Sequence, residues 1–138
     1  MSNKQAMVLA LLALVSGVVE AQQKSIDLGR QEYVTHCASC HGDDGRGVGA
    51  KAAGLSVKPA NLRVLSRNNG GSFPLIRVLE TIDGRLEVLA HGPRDMPVWG
   101  TRFTHELAPA AGNDPLRTEG AVRERIIGLA DYLYTLQD

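Results

Sequence analysis

The five residues Cys37-Ala38-Ser39-Cys40-His41 constrain this chain more than any others, because they hold both of its cysteines and set a histidine directly behind the second. Two thiols about one helical turn apart can reach the two vinyl groups of a single porphyrin and form thioethers. The adjacent imidazole is then held under the ring, where it can bind the iron. The spacing therefore predicts covalent attachment of one c-type haem through Cys37 and Cys40, with His41 as the proximal ligand. Two other chemistries use paired cysteines. A thioredoxin-like redox pair follows a strand and opens a helix, whereas this pair closes a helical pattern. A four-ligand zinc site needs further donors at metal spacing, and no second pair of Cys or His is so placed.

The N-terminus bears on the same question. A short polar start carrying Lys4 precedes an apolar run from Ala6 to Val19, and Val19-Glu20-Ala21 offers a cleavage point. This is the layout of a secretory signal peptide, so residues 1–21 are expected to be a cleavable leader and 22–138 one domain. A spanning helix needs about 20 apolar residues, more than this run supplies. Retained, the segment would instead tether the protein to the outer face of the membrane. Export agrees with haem attachment, since these thioethers are made outside the bacterial cytoplasm and exported thiols are normally put to use. The expected location is the periplasm.

A chain of this length makes one small domain. Its charge is balanced, 15 Lys and Arg against 15 Asp and Glu, which gives no footprint for nucleic acid. Aromatic residues make up only 4%, so a buried porphyrin would supply much of the missing core bulk.

Helical spacing dominates the rest. Ser25 is a suitable N-cap for a helix reaching Cys37, with Ile26, Gly29, Tyr33 and Cys37 on one face. Gly29 costs roughly 1 kcal/mol there relative to Ala, which implies close approach of another helix. The glycine-rich run from Gly42 to Gly49 must be a loop against the cofactor. It is a poor phosphate cradle, having no strand before it and two aspartates within it. Ser72 and Pro74 open a helix with Leu75, Ile76, Leu79 and Ile82 as its stripe, and Gly84 stops it. No period holds from Leu86 to Gly100. Residues 109–117 look like a surface excursion, and Thr118 begins a helix striped by Val122, Ile126, Leu129, Leu133 and Leu136. The fold class is all-α with several long loops.

Of three methionines, Met1 and Met7 fall in the leader, leaving Met96 for the mature protein. Flanking prolines and the lack of helical period set it in a rigid loop, suited to carry a thioether to the distal iron face rather than to fill a core. His36 lies beside a tether and His105 is a further imidazole, but His91 is the rival ligand because it shares the loop with Met96.

From about Ser25 to Gln137 the chain resembles the class I cytochromes c, especially the short bacterial ones. The resemblance rests on Gly29 and Tyr33, Cys37-Ala38-Ser39-Cys40-His41-Gly42, Pro59-Ala60-Asn61-Leu62, Met96-Pro97-Val98-Trp99-Gly100 and Leu129-Ala130-Asp131-Tyr132-Leu133. It implies three to five helices wrapped around one haem, with the terminal helices crossing at Gly29 beside Tyr132 or Leu133. It also implies that the Pro59 carbonyl takes the imidazole N–H of His41. The loop between Trp99 and Thr118 is longer than in minimal members. The haem pocket is expected to draw on Leu62, Phe73, Ile76, Leu79, Trp99, Ile126 and Leu129, with the Trp99 indole N–H serving a propionate.

Iron with both axial positions filled by protein has no open site, which points to electron transfer rather than catalysis. Met/His ligation and an apolar pocket both favour the reduced iron. The expected role is a shuttle between redox partner proteins, such as a periplasmic dehydrogenase or respiratory complex and an oxidase. A second reading is a dedicated haem subunit of a multi-subunit enzyme, and a third is a haem-based ligand sensor. Arg46, Lys51, Lys58, Arg63 and Arg67 form a basic stretch that could steer an acidic partner.

Overall fold

Alanine, leucine, glutamine and lysine favour helix, and no Gly or Pro interrupts residues 18–28. The first element accordingly runs unbroken. In the computed structural model, which describes residues 3–85 and 96–138, α1 spans Asn3–Glu32. The apolar run and the segment after Ser25 are thus one helix. Ser25 is not a cap but an interior residue, and its Oγ donates to Asp131 Oδ2 across 2.6 Å. Among the described residues no helix is long and apolar enough to cross a membrane.

A π-helical turn, Tyr33–Cys37, continues α1 into the short α2, Ala38–His41. Single-turn insertions of this kind re-phase a helix and are frequent at functional sites. Beyond the loop come a 3₁₀ turn at Ala52–Gly54, another at Leu62–Val64, and α3 at Leu65–Asn68. Then follow α4 at Leu75–Asp83, α5 at Trp99–Leu107 and α6 at Pro115–Thr135. Every regular element among the described residues is helical, and four of them have nine residues or more. The all-α expectation is met.

Three boundaries differ from expectation. Gly84 does end α4, in the left-handed conformation at φ 69°, but the buried stripe of that helix is Val78 and Ile82, while Leu75 and Ile76 face solvent. The segment read as irregular from Leu86 to Gly100 lies largely outside the described residues, and so does His91. Its last two residues, Trp99 and Gly100, begin α5, which sits in the expected long loop. α6 starts at Pro115, three residues early, because Asp114 caps it by accepting from the N–H groups of Leu116 and Arg117.

The core forms where α1, α5 and α6 meet. Val122, Ile126, Leu129 and Leu133 of α6 are buried as their spacing predicts, together with Tyr33 and Phe103. α1 and α6 cross at a notch of two glycines. A Cβ on Gly29 would land on the backbone of Gly128, and one on Gly128 would meet the carbonyl of Ser25 at 2.9 Å. The crossing at Gly29 is as expected. Its partner is Gly128, not Tyr132 or Leu133, since only a bare backbone fits so close.

Candidate haem site

Backbone bonds fix the cysteine motif before any side chain is considered. The carbonyls that end a helix normally lack partners, yet all four of α2 are satisfied. Gly42 N–H donates to Ala38, Lys51 to Ser39, Gly49 to Cys40 and Gly47 to His41, at 2.7–3.0 Å. The glycine-rich loop is therefore a cap folded over the end of the motif. Its composition follows from the crowding. A Cβ on Gly47 would strike the Pro59 carbonyl, and one on Gly49 would meet Ser39 O at 2.5 Å. The phenol of Tyr33 donates to Gly42 O at 2.6 Å, joining the π-turn to the same loop. Burial, with Cys37 and Tyr132 adding to it, pushes that phenol well above its ordinary range and keeps it a donor.

Beside this motif lies an apolar cavity of about 160 Å³ that opens to solvent. Cys37 and His41 form one part of its lining. Met96, Leu62, Leu65, Val78, Leu129 and Leu133 are among the other residues of its wall. His41 Nδ1 lies 3.1 Å from Ala60 O. The carbonyl can only accept, so Nδ1 carries the proton and Nε2 keeps a free lone pair. Burial lowers the His41 pKa, with the Ala60 bond opposing it, a shift that favours the neutral form a metal ligand needs. The orienting carbonyl is Ala60, a correction to the expectation for Pro59. The Pro59 carbonyl is turned against Gly47, and the next carbonyl along is the one within reach.

The cysteines are both free and half-buried. Burial first, then Glu32 and Cys40, push the Cys37 thiol up to about 12. A reactive redox cysteine has the opposite shift, a lowered pKa. Cys40 sits one turn on, its Sγ 3.9 Å from Ser39 Oγ, and is not part of the cavity wall. Among the described residues no group of three His, Cys, Asp or Glu could hold a metal ion. The residues present fit a porphyrin: an apolar slot, one neutral imidazole and one thioether in its wall, and a thiol beside the imidazole.

Trp99 is placed elsewhere. It is buried, with ring centroids 5.1 Å from His36 and 5.6 Å from Phe103, and Arg102 lies over its face at 5.2 Å. It packs behind the cavity and does not line it, because α5 turns the indole into the core. Of the other expected pocket residues, Leu62 and Leu129 line the cavity. Phe73 stacks edge-on against Tyr134 at 5.4 Å, Ile76 is exposed, and Leu79 and Ile126 border a separate cleft. Sequence reasoning missed the Ala60 carbonyl and the apolar row Trp99, Phe103 and Leu107, whose four-residue spacing was the available signal for α5.

The family model described as cytochrome c oxidase, cbb3-type, subunit III matches residues 24–112, well over half of the chain. Comparison with curated proteins and with solved structures returns no match. The matched span holds the cysteine motif, the capping loop, the Ala60 segment, α4 and Met96, and so most of the cavity wall, which Leu129 and Leu133 of α6 complete. The chain belongs to this cbb3-type cytochrome family, and is a c-type cytochrome of the class I kind that binds haem and carries electrons.

Proposed function

We propose that this cytochrome holds a single haem, attached through Cys37 and Cys40, with its iron between His41 and Met96. We further propose that it is exported to the periplasm, passes single electrons between redox proteins there, and is not itself an enzyme. The observation that carries this reading is that His41 and Met96 line the same apolar cavity, with Cys37 beside the imidazole. When bound, the cofactor supplies a one-electron couple. The chain's own part is to orient Nε2 of His41 through Ala60, to offer the Met96 thioether, and to exclude water with Leu62, Leu65, Leu129 and Leu133. A neutral thioether and a dry pocket both favour the reduced iron, raising the potential.

The family description, a subunit of an oxidase, supports a second reading, a dedicated haem subunit delivering electrons within a complex. Co-purification separates the two: a shuttle leaves its partner on dilution, because such interfaces are small.

The purified exported protein is expected to keep its pigment on a denaturing gel and to gain one haem in intact mass. Its oxidised form should show the weak long-wavelength sulfur-to-iron charge-transfer band, and Met96→Ala should abolish the band and lower the potential. Pigment that extracts into acid acetone would overturn the attachment. A wild type without the band, in which His91→Ala changes the spectrum, would overturn the ligation.

A further inference from the structure

The haem cavity has one charged corner. Arg77 of α4 lines it together with Val78, Thr81 and Ile82. Val78 and Ile82 are buried, whereas Arg77 and Thr81 are exposed. The pairs are one turn apart on neighbouring rows of the helix. α4 thus presents an apolar row to the interior and a polar row at the rim. A long side chain so placed can lay its aliphatic stem along apolar surface and keep its charged head in water.

Arg77 is also uncommitted. Arg46 pairs with Asp44, Arg63 with Asp138, Arg85 with Asp83 and Glu119, Arg123 with Glu119, and Arg125 with Glu32 and Glu106. Arg102 lies over Trp99. Among the described residues Arg77 makes no ion pair, and it is the only permanently charged side chain in the cavity wall. A porphyrin has an apolar body and carries two carboxylates on one edge, which is the complement of the two rows of α4. A planar guanidinium receives a carboxylate through paired N–H donors. Trp99, the residue expected to meet the propionate, faces the core.

We propose that Arg77 is the propionate-binding residue of this cytochrome, and that it sets which edge of the macrocycle faces the rim of α4. The inference rests on the haem reading above. The cation holds the propionate ionised in both iron states and offsets its negative charge. Without it, the bare carboxylate disfavours the reduced iron and lowers the potential. The carboxylate then titrates nearer neutrality, so the potential climbs again as pH falls.

The test uses wild type, Arg77→Gln, Arg77→Lys and, as a control for net charge, Arg67→Gln, an exposed cation outside the cavity wall. Haem content is measured first, then midpoint potential from pH 5 to 9. Tyr33, Cys37 and His41, the other titratable groups lining the cavity, are common to all four proteins. Arg77→Gln is expected to retain covalent haem, to show a lower potential at neutral pH, and to gain a rise in potential below neutrality that wild type lacks. Arg77→Lys should restore the flat profile. An Arg77→Gln protein that follows Arg67→Gln in both potential and pH profile overturns the proposal while leaving the haem reading intact. A wild type without covalent haem overturns the haem reading instead. If Arg77→Gln does not accumulate, the propionate bending mode in resonance Raman decides: a shift in Arg77→Lys supports the contact, and an unchanged mode overturns it.

Discussion

Tyr33 is 1% exposed and its phenol donates to the Gly42 carbonyl 2.6 Å away. That bond closes the capping loop onto the π-turn. Tyr33→Phe keeps the ring and removes one of the two donors to that carbonyl, the other being Gly45 N–H at 3.1 Å, so the cost is that of one hydrogen bond, about 0.5–1.5 kcal/mol. Denaturant unfolding of the holoprotein should show a lower midpoint with an unchanged slope; an unchanged midpoint would mean the loop is held by its backbone bonds alone. At this scale the legible residues were those whose side chains define a chemistry. Cys37, His41 and Met96 announce themselves by type and spacing, and all three line the cavity. The choice of Ala60 over Pro59 was not legible, since every residue carries the same carbonyl and only the path of the chain decides which one points at the imidazole. Trp99 misled for a related reason: an indole suits both a core and a ligand, and only the direction of α5 separates them.

Among the elements, α1 and α6 depend on each other through the Gly29–Gly128 notch. Gly29→Ala should destabilise, since a methyl there meets peptide backbone that cannot turn aside; overpacking of this kind costs about 1–3 kcal/mol. Gly120→Ala in α6, where nothing lies within 4 Å, should gain up to about 1 kcal/mol from helix propensity. Opposite signs for one chemical change in thermal melts would establish the crossing, and equal shifts would refute it. Half of this notch was readable, because Gly29 is anomalous against a strong helical period, while Gly128 gives no such contrast. α6 itself was legible from its stripe. α5 was hidden by Pro93 and Pro97 just before it and by its two poor helix formers, Gly100 and Thr101. The π-turn has no composition of its own and shows only in the backbone.

For the molecule as a whole, one ion cluster fastens three helices. Arg85, just beyond α4, donates to Asp83 at 2.6 Å and to Glu119 of α6 at 2.7 Å. A Cβ on Gly100 of α5 would meet Arg85 Nε at 2.5 Å. Hydrogen bonds from Arg85, then Arg123, hold the Glu119 carboxyl at about 2, against an ordinary value of 4.5. A carboxyl lowered on folding stabilises in full above its unfolded value and loses that contribution as pH falls towards the folded one. Wild-type stability should therefore decline between about pH 4.5 and 2, and Glu119→Gln should be less stable at neutral pH yet decline less over that window. Parallel curves would show that the cluster contributes nothing to acid sensitivity. The far end of α6 does a different job. Gln137 donates to Leu62 O and accepts from Ser66 N–H, while Asp138 pairs with Arg63, so the last residues latch the segment that carries Ala60, Leu62 and Leu65. That latch lies 75 positions downstream of Leu62. A chain made from its N-terminus onward has its cysteine motif long before it has the means to shut the wall beside it.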